Sequence, residues 1–560
     1  MGRAISASIV GRQVAVPERK KLWTALRPPS AIRWMSGKVP RRISAFSILL
    51  PSFCSKMFLR PSLLHSFPGH SCAPEMTPSV ETPPMVDTPL HWLTISELSQ
   101  RIRQGSLSPV ALTEHLLARL EALDGATHAF KLVTRERALA QAQAAELALY
   151  TGQEIGPLHG IPYAAKDLFD VKGLPTTAGA TFMETNIAAA DATVIRCLRQ
   201  EGMVLLGKTH TVQFAYGGVG INHHHGTPHN PWHREPHAPG GSSSGSGVAV
   251  AAGLVPMALG SDTGGSVRIP AALCGTVGLK TTVGQISRTG VFPLSATLDS
   301  VGPLTRSVED AALVYQALRG SDPADPSTHN RPPQDVLRSL KDGVRGLRLA
   351  FAETIFWDGV DTEIAAAVRA CGDVLRGLGA QVESLPFPEA AEAQEVNPRG
   401  LIVAAESYAL HQEGLEANFA QYDPIIAYRM RQGQHVSAAE YLRATRGLVP
   451  LRLKVEATLR QVDALLVPTT MIPPLPIAEI DAAPDTYSAR NLQYLRNTLI
   501  GNVLNLCAVS LPCGVTRQGL PIGLMIYGKP WSEEMVLRVG YAFEQATDWH
   551  RRTPDLAWAT

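Results

Sequence analysis

The chain has 560 residues, 45% hydrophobic and 18% charged, with a formal net charge of +2. That balance leaves no electrostatic footprint for nucleic acid, and no apolar run reaches the about 18 residues that span a bilayer. Length alone admits several domains, but no long linker interrupts the stretch from about residue 89 to 555, which is read as one catalytic-size unit.

The first 74 residues are a different material. Arginines and lysines recur while Glu18 is the only acid, and prolines and serines break most helical patterns. Residues 1–88 are expected to be a basic extension outside the fold. Organelle targeting, or a start assigned too far upstream, are the alternatives.

Two helices follow within residues 94–125. Ser108 as N-cap and Pro109 at the first helical position open the second, Leu112, Leu116, Leu120 and Leu123 lie on its apolar face, and Gly125 is expected to end it. An alanine-rich helix is predicted over Thr134 to Tyr150. Strands are predicted at Pro162–Val171, Met203–Lys208 and Pro256–Gly260, with a helix after residue 242 and a strand at Leu347–Ala352. The rest of 344–465 is helical by pattern. Within it, residues 404–452, with Tyr408, Tyr422 and Tyr428, are expected to cover a pocket. Alternating helices and strands imply an α/β fold with a sheet between helix layers.

Three segments carry chemistry. Lys166 stands in the apolar run IPYAAKDLFDV, PGGSSSGSG covers Pro239 to Gly247, and GSDTGGSVRIP follows from Gly260. A serine hydroxyl is a weak nucleophile until a neighbour takes its proton. A lysine can serve as that neighbour only when neutral, so burial must lower its pKa by several units. Asp167 follows Lys166, but on a strand it points to the other face and need not be its ion-pair partner. Gly264 and Gly265 permit a tight turn in which the amides of Thr263, Gly264, Gly265 and Ser266 converge on one oxygen. No cysteine or carboxylate pattern completes a metal site, and no cofactor is called for.

The order and flanks of these segments resemble the amidase signature family, over about Leu90 to Trp549. The resemblance implies a large mixed β-sheet between layers of α-helices. It also implies Ser266 as nucleophile, Ser242 in a cis peptide, and Lys166 as the final proton acceptor. The oxyanion would rest on Thr263 to Ser266. Two departures stand out: Ser244 replaces a glycine common in relatives, and Gln213 stands where many carry a glutamate.

Other motifs compete. GMVLLGKT, Gly202 to Thr209, matches a phosphate-loop pattern literally, but Met203 to Leu206 read as a buried strand rather than a loop. Histidines 223, 224, 225, 229, 233 and 237 cluster, yet Pro228, Pro231 and Pro236 exclude a helical metal face, leaving a polar loop as the simpler reading. GGSVR around Ser266 lacks the last glycine of a nucleophile elbow, and Arg268 there is read as a brace for the loop. Seven cysteines, an odd number without a CxxC pair, fit free thiols in a reducing compartment.

The expected activity is hydrolysis of a small or medium amide in the cytoplasm. Carbamate, urea-type or ester cleavage, a glutamine-dependent amidotransferase subunit, and a non-catalytic binding protein are the alternatives. Monomer and homodimer both stay open.

Overall fold

The computed structural model describes residues 88–329 and 334–560, so the basic extension at 1–87 lies outside the described residues. The described residues form one structural unit. The described strands are β1 (Phe130–Val133), β2 (Pro162–Lys166), β3 (Val204–Thr209), β4 (Met257–Asp262), β5 (Val277–Lys280), β6 (Ser300–Thr305), β7 (Arg348–Ala352), β8 (Gln381–Leu385), β9 (Ala464–Pro468), β10 (Cys507–Val515) and β11 (Pro521–Gly528). They form one 11-stranded sheet in the order β1-β3-β2-β4-β6-β5-β10-β11-β9-β7-β8. The β3-β2-β4 and β9-β7-β8 neighbours are parallel, and the pairs between β4 and β9 are antiparallel, so the sheet is mixed.

Period-two side-chain alternation sorts strands such as β7, β9 and β11 onto two cores, whereas consecutive apolar residues of β2, β3 and β4 all belong to the first. In β11, Ile522, Leu524 and Ile526 join one core, while Met525 and Tyr527 join the other. In β9, Ala464 and Leu466 take the first face, Leu465 and Val467 the second. The first core is closed by helices Ile95–Arg103, Pro109–Thr127, Val308–Leu318 and Glu533–Gln545, through residues such as Leu98, Leu116, Val314 and Val536. The second is closed by helices Leu401–Asn418, Pro424–Arg431 and Ala438–Thr458, through Ile402, Ile426 and Leu448. The sheet is thus buried between two helical layers, as expected.

Local signals held at most boundaries. Ser108 Oγ accepts from the Ala111 amide at 3.1 Å, and Pro109 opens the helix. That helix passes Gly125 and stops at Thr127, because His128, not Gly125, takes the left-handed conformation (φ 50°). The predicted strand 162–171 is only β2: after Lys166 the chain turns, with the Leu168 amide donating back to the Lys166 carbonyl at 2.7 Å. Gly202 follows helix Thr193–Gln200 and precedes β3, so the phosphate-loop match is a helix end and a buried strand. Among the described residues no helix is long and apolar enough to cross a membrane.

Candidate active site

Two parallel neighbours, β2 and β4, end side by side and deliver Lys166 and the Ser261–Ser266 segment to one place. Lys166 is the last residue of β2 and has no solvent exposure. Its Nζ donates to Ser242 Oγ and to Ser261 Oγ, each at 2.8 Å. Burial brings its pKa down from 10.5 to about 7, against the opposing pull of Asp299 and Asp262. In the neutral form the amine offers a lone pair to one of these hydroxyls, which then donates to it.

Asp167 takes no part in that contact. Its Oδ1 accepts from Lys208 Nζ at 2.7 Å, a fully buried pair between the turn after β2 and β3. The lysine of the apparent phosphate loop is therefore engaged by a carboxylate.

Ser242 follows a cis Gly241–Ser242 peptide. Its carbonyl accepts from the Val212 amide at 3.2 Å and from Thr211 Oγ1 at 3.0 Å, which fixes the backbone behind it. Helix Ser244–Ala251 begins within the glycine–serine run and is buried along its whole length. This run is a packed element, not a linker. Ser244 Oγ is buried without a hydrogen-bond partner.

Ser266 sits on the turn between β4 and helix Arg268–Cys274 and is 4% exposed. Its carbonyl accepts from the Ser243 amide at 3.3 Å, which joins the two serine segments. Among the described residues, no hydrogen bond links the hydroxyls of Ser242 and Ser266. The turn is organised by Asp262, whose carboxylate accepts from the Gly265 amide at 2.9 Å and the Val267 amide at 3.1 Å. Arg268 braces Asp262 with bonds of 2.9 and 3.0 Å, and reaches Asn502 and Tyr527 beyond it. Burial pushes the Asp262 carboxyl up, but the Arg268 guanidinium outweighs it and holds the group well below the usual carboxylate range. Arg268 is the brace the sequence suggested. Of the four amides expected to converge on one oxygen, that of Gly265 is engaged by Asp262. Gly265 itself has φ +137°, and a Cβ there would lie 2.2 Å from Thr498 Oγ1.

Ser266, Thr263 and Gly264 open on a cavity of about 450 Å³. Its walls are largely apolar, with Ala215, Val403, Met471, Leu495, Leu499 and Ile500, while Arg399, Arg429 and Arg496 are its cationic members. The expected cover from 404–452 contributes Arg429 alone. Tyr422 is instead buried beside Phe214 and His411, and Tyr428 is exposed. Most of the wall comes from residues 393–403 and from helix Pro484–Val503, neither of which carries a motif in the sequence.

Ser261 has no sequence signal either. It is a common residue on a strand, and only the β2–β4 pairing brings it to Lys166. The histidine cluster has a structural role at His223, whose Nδ1 meets Asp423 Oδ2 at 2.5 Å and whose Nε2 meets Asp481 Oδ1 at 3.0 Å. The hydrogen bond to Asp423 leads in raising its pKa to about 9. Gln213 accepts from the Asp423 amide at 2.8 Å, and so belongs to the same junction. Among the described residues, no group of three or more His, Cys, Asp or Glu side chains is placed to hold a metal ion.

Comparison with known proteins shows the family. The family model described as Amidase matches residues 111–537. The 2-amino-5-chloromuconic acid deaminase of Comamonas testosteroni is 38% identical over 454 residues, covering 81% of this chain and 96% of its own. A glutamyl-tRNA(Gln) amidotransferase subunit of Roseiflexus sp. (strain RS-1) is 37% identical over 492 residues, covering 84% and 99%. The solved peptide amidase of Stenotrophomonas maltophilia superimposes with a TM-score of 0.72 at 30% identity, covering 85% of this chain and 99% of that one. With its mixed sheet, its serine segments and its buried lysine, the chain belongs to the Amidase family and is a hydrolase of carbon–nitrogen bonds.

Proposed function

We propose that the chain cleaves an amide through an acyl-enzyme on Ser266, with Ser242 and Lys166 as its proton relay. The carrying observation is the fully buried Lys166 amine, 2.8 Å from Ser242 Oγ, with a pKa of about 7. Ser266 Oγ attacks the carbonyl carbon as its proton passes to Ser242, whose own proton passes to the lone pair of Lys166. The Ser266–Ser242 contact forms as substrate enters, since such bonds are often long before a Michaelis complex. With Gly265 engaged by Asp262, the amides of Thr263, Gly264 and Ser266 receive the oxyanion. Collapse breaks the C–N bond while the Lys166 proton returns through Ser242 to the leaving nitrogen. Water then attacks the acyl carbon by the same route reversed, and Ser266 is released.

Arg399 and Arg429 beside apolar walls favour an amide whose acyl part carries a carboxylate, while Arg496 donates to Asn497 and to the Phe356 and Asp358 carbonyls. The Comamonas relative is named for a carboxylic acid, 2-amino-5-chloromuconic acid, from which it removes an amino group. A fluorophosphonate probe should label Ser266, and Ser266→Ala should abolish both labelling and amide turnover. Persistent labelling of the alanine variant would refute the assignment. Monoamides of dicarboxylic acids should outcompete aliphatic amides of equal length.

The second reading is a component of an amidotransferase that releases ammonia from glutamine, favoured by the identity to the Roseiflexus protein. Ammonia release from simple amides by the purified chain, without partner or ATP, separates the two. Absence of release until partner subunits are added would favour the second.

A further inference from the structure

The loop before β6 joins two regions that the reaction brings into play. Asp299 on this loop is half-buried, and its Oδ1 accepts from Thr263 Oγ1 at 2.5 Å. Its Oδ2 accepts from the amides of Leu294 and Ser295, at 2.9 and 3.0 Å. Thr263 immediately precedes Gly264 in the turn that carries Ser266. The same loop is held from its other side by Glu406 on helix Leu401–Asn418. The Glu406 carboxylate accepts from Ser295 Oγ, from Thr297 Oγ1 at 2.5 Å, from the Thr297 amide at 3.2 Å, and from Tyr441 OH at 2.7 Å. Tyr441 belongs to helix Ala438–Thr458. Val403, about one turn before Glu406 on the same helix, forms part of the cavity wall.

A chain of hydrogen bonds therefore runs from the helical cover, through Glu406, Ser295 and Asp299, to Thr263. Ser295 and Glu406 are ordinary loop and helix residues, 111 positions apart in the chain. A polar connection inside a protein is strong when every member is satisfied, and each carboxylate here has several donors. We propose that Asp299 and Glu406 are positioning residues for the reaction: they transmit the placement of the helix that walls the cavity to the turn that holds the nucleophile. Asp299 has a second effect, because its charge lies near Lys166 and stabilises the ammonium. The charged groups that face Lys166 in this way are Asp299 and Asp262, and Arg288 in turn faces Asp299.

This inference rests on Ser266 as nucleophile, and labelling of the unmodified full-length protein at Ser266 tests that premise first. With labelling established, the maximal rate and the half-saturating concentration of a fluorophosphonate probe are measured across pH 5 to 9. Glu406→Ala should lower the maximal rate about tenfold or more, with half-saturation changed less than about twofold, because the defect is in orientation rather than in occupancy. Glu406→Gln, which keeps one carbonyl acceptor, should recover part of that loss. Asp299→Asn should lower the maximal rate and also shift its acidic limb to lower pH, as a neighbour that favours the ammonium is removed. Circular dichroism and melting temperature identify a variant that fails to fold. In that event Ser295→Ala, which removes a single hydroxyl contact to Glu406, supplies the same rate measurement and should lower it about threefold or more. An unchanged maximal rate in Glu406→Ala, or an acidic limb unmoved in Asp299→Asn, would overturn the proposal.

Discussion

Lys166 should set the acidic limb of the reaction near neutral pH. The amine has no solvent exposure, and its hydrogen bonds go to two hydroxyls. Bringing its pKa from 10.5 to about 7 corresponds to about 5 kcal/mol disfavouring the ammonium. Asp299 and Asp262 pull the other way, so burial is the larger effect. A free lysine with a pKa near 10.4 would leave only about one amine in 2,500 neutral at pH 7. At a pKa of about 7, half are neutral. The rate of Ser266 labelling by a fluorophosphonate, measured at constant ionic strength, should therefore rise about tenfold per pH unit below pH 6 and level off by about pH 8. This assay needs no knowledge of the natural substrate. Lys166→Met should remove the limb together with most of the rate. A rate that is flat from pH 5 to 8, or that keeps climbing through pH 10, would show that the lysine is not the base described here. The sign for stability is the same: a folded pKa below the unfolded one means that stability is lost as pH falls from 10.5 through 7. The gap in melting temperature between Lys166→Met and the parent should accordingly shrink as pH rises from 7 to 10.

Gly265→Ala should reduce turnover by about a hundredfold, since its Cβ would collide with Thr498 Oγ1 and shift the nucleophile turn; near-parental turnover would show that the turn tolerates the displacement. Arg268→Met leaves the buried Asp262 carboxylate without its cation and should destabilise the protein by about 3–5 kcal/mol, read as a lower melting temperature. His223→Gln should cost about 1–2 kcal/mol at pH 7, discounted for the exposed part of the ring. Because the folded pKa of about 9 lies above the ordinary histidine value of 6.5, that contribution is full below pH 6.5 and fades as pH rises through 9, so the two melting curves should converge by pH 10.

What the sequence disclosed, and what it hid, follows from how far each signal reaches along the chain. The segments around Lys166, Ser242 and Ser266 stand out because their glycines and apolar flanks have a local physical reason, while the choice of Ser242 and Ser266 among their serines rests on the family resemblance. The central strands were legible for a similar cause: β2, β3 and β4 are buried along their whole length and read as apolar runs. The two edge strands were not. In β8 only Val382 is buried, and in β1 only Phe130, so neither has the pattern that marks a strand in a sheet interior. The remaining site residues are joined across distances that no local pattern encodes. Ser261 meets Lys166 across 95 positions, and His223 meets Asp423 across 200. Such contacts depend on the strand order β2-β4 and on which loops it brings together, and a serine or an aspartate carries no mark of that order.

The helical cover shows the same limit in a sharper form. Residues 404–452 are helical, as their periodicity implied, but amphipathic spacing specifies only that a face is buried, not against what. Tyr422 meets that requirement by packing on Phe214 and His411 within the second core, away from the cavity wall. Helix Pro484–Val503 satisfies it differently: Tyr487 and Tyr494 belong to a third apolar cluster with Val219 and Ile269, while Leu495, Leu499 and Ile500 pack against the third and second clusters and line the cavity as well. The cavity wall thus shares its residues with the core, and a buried face in the sequence does not reveal which of its members also border a cavity. For that reason the three serine and lysine segments stand out in the sequence, while the cavity wall, drawn mostly from residues 215–217, 393–403, Met471 and helix Pro484–Val503, does not.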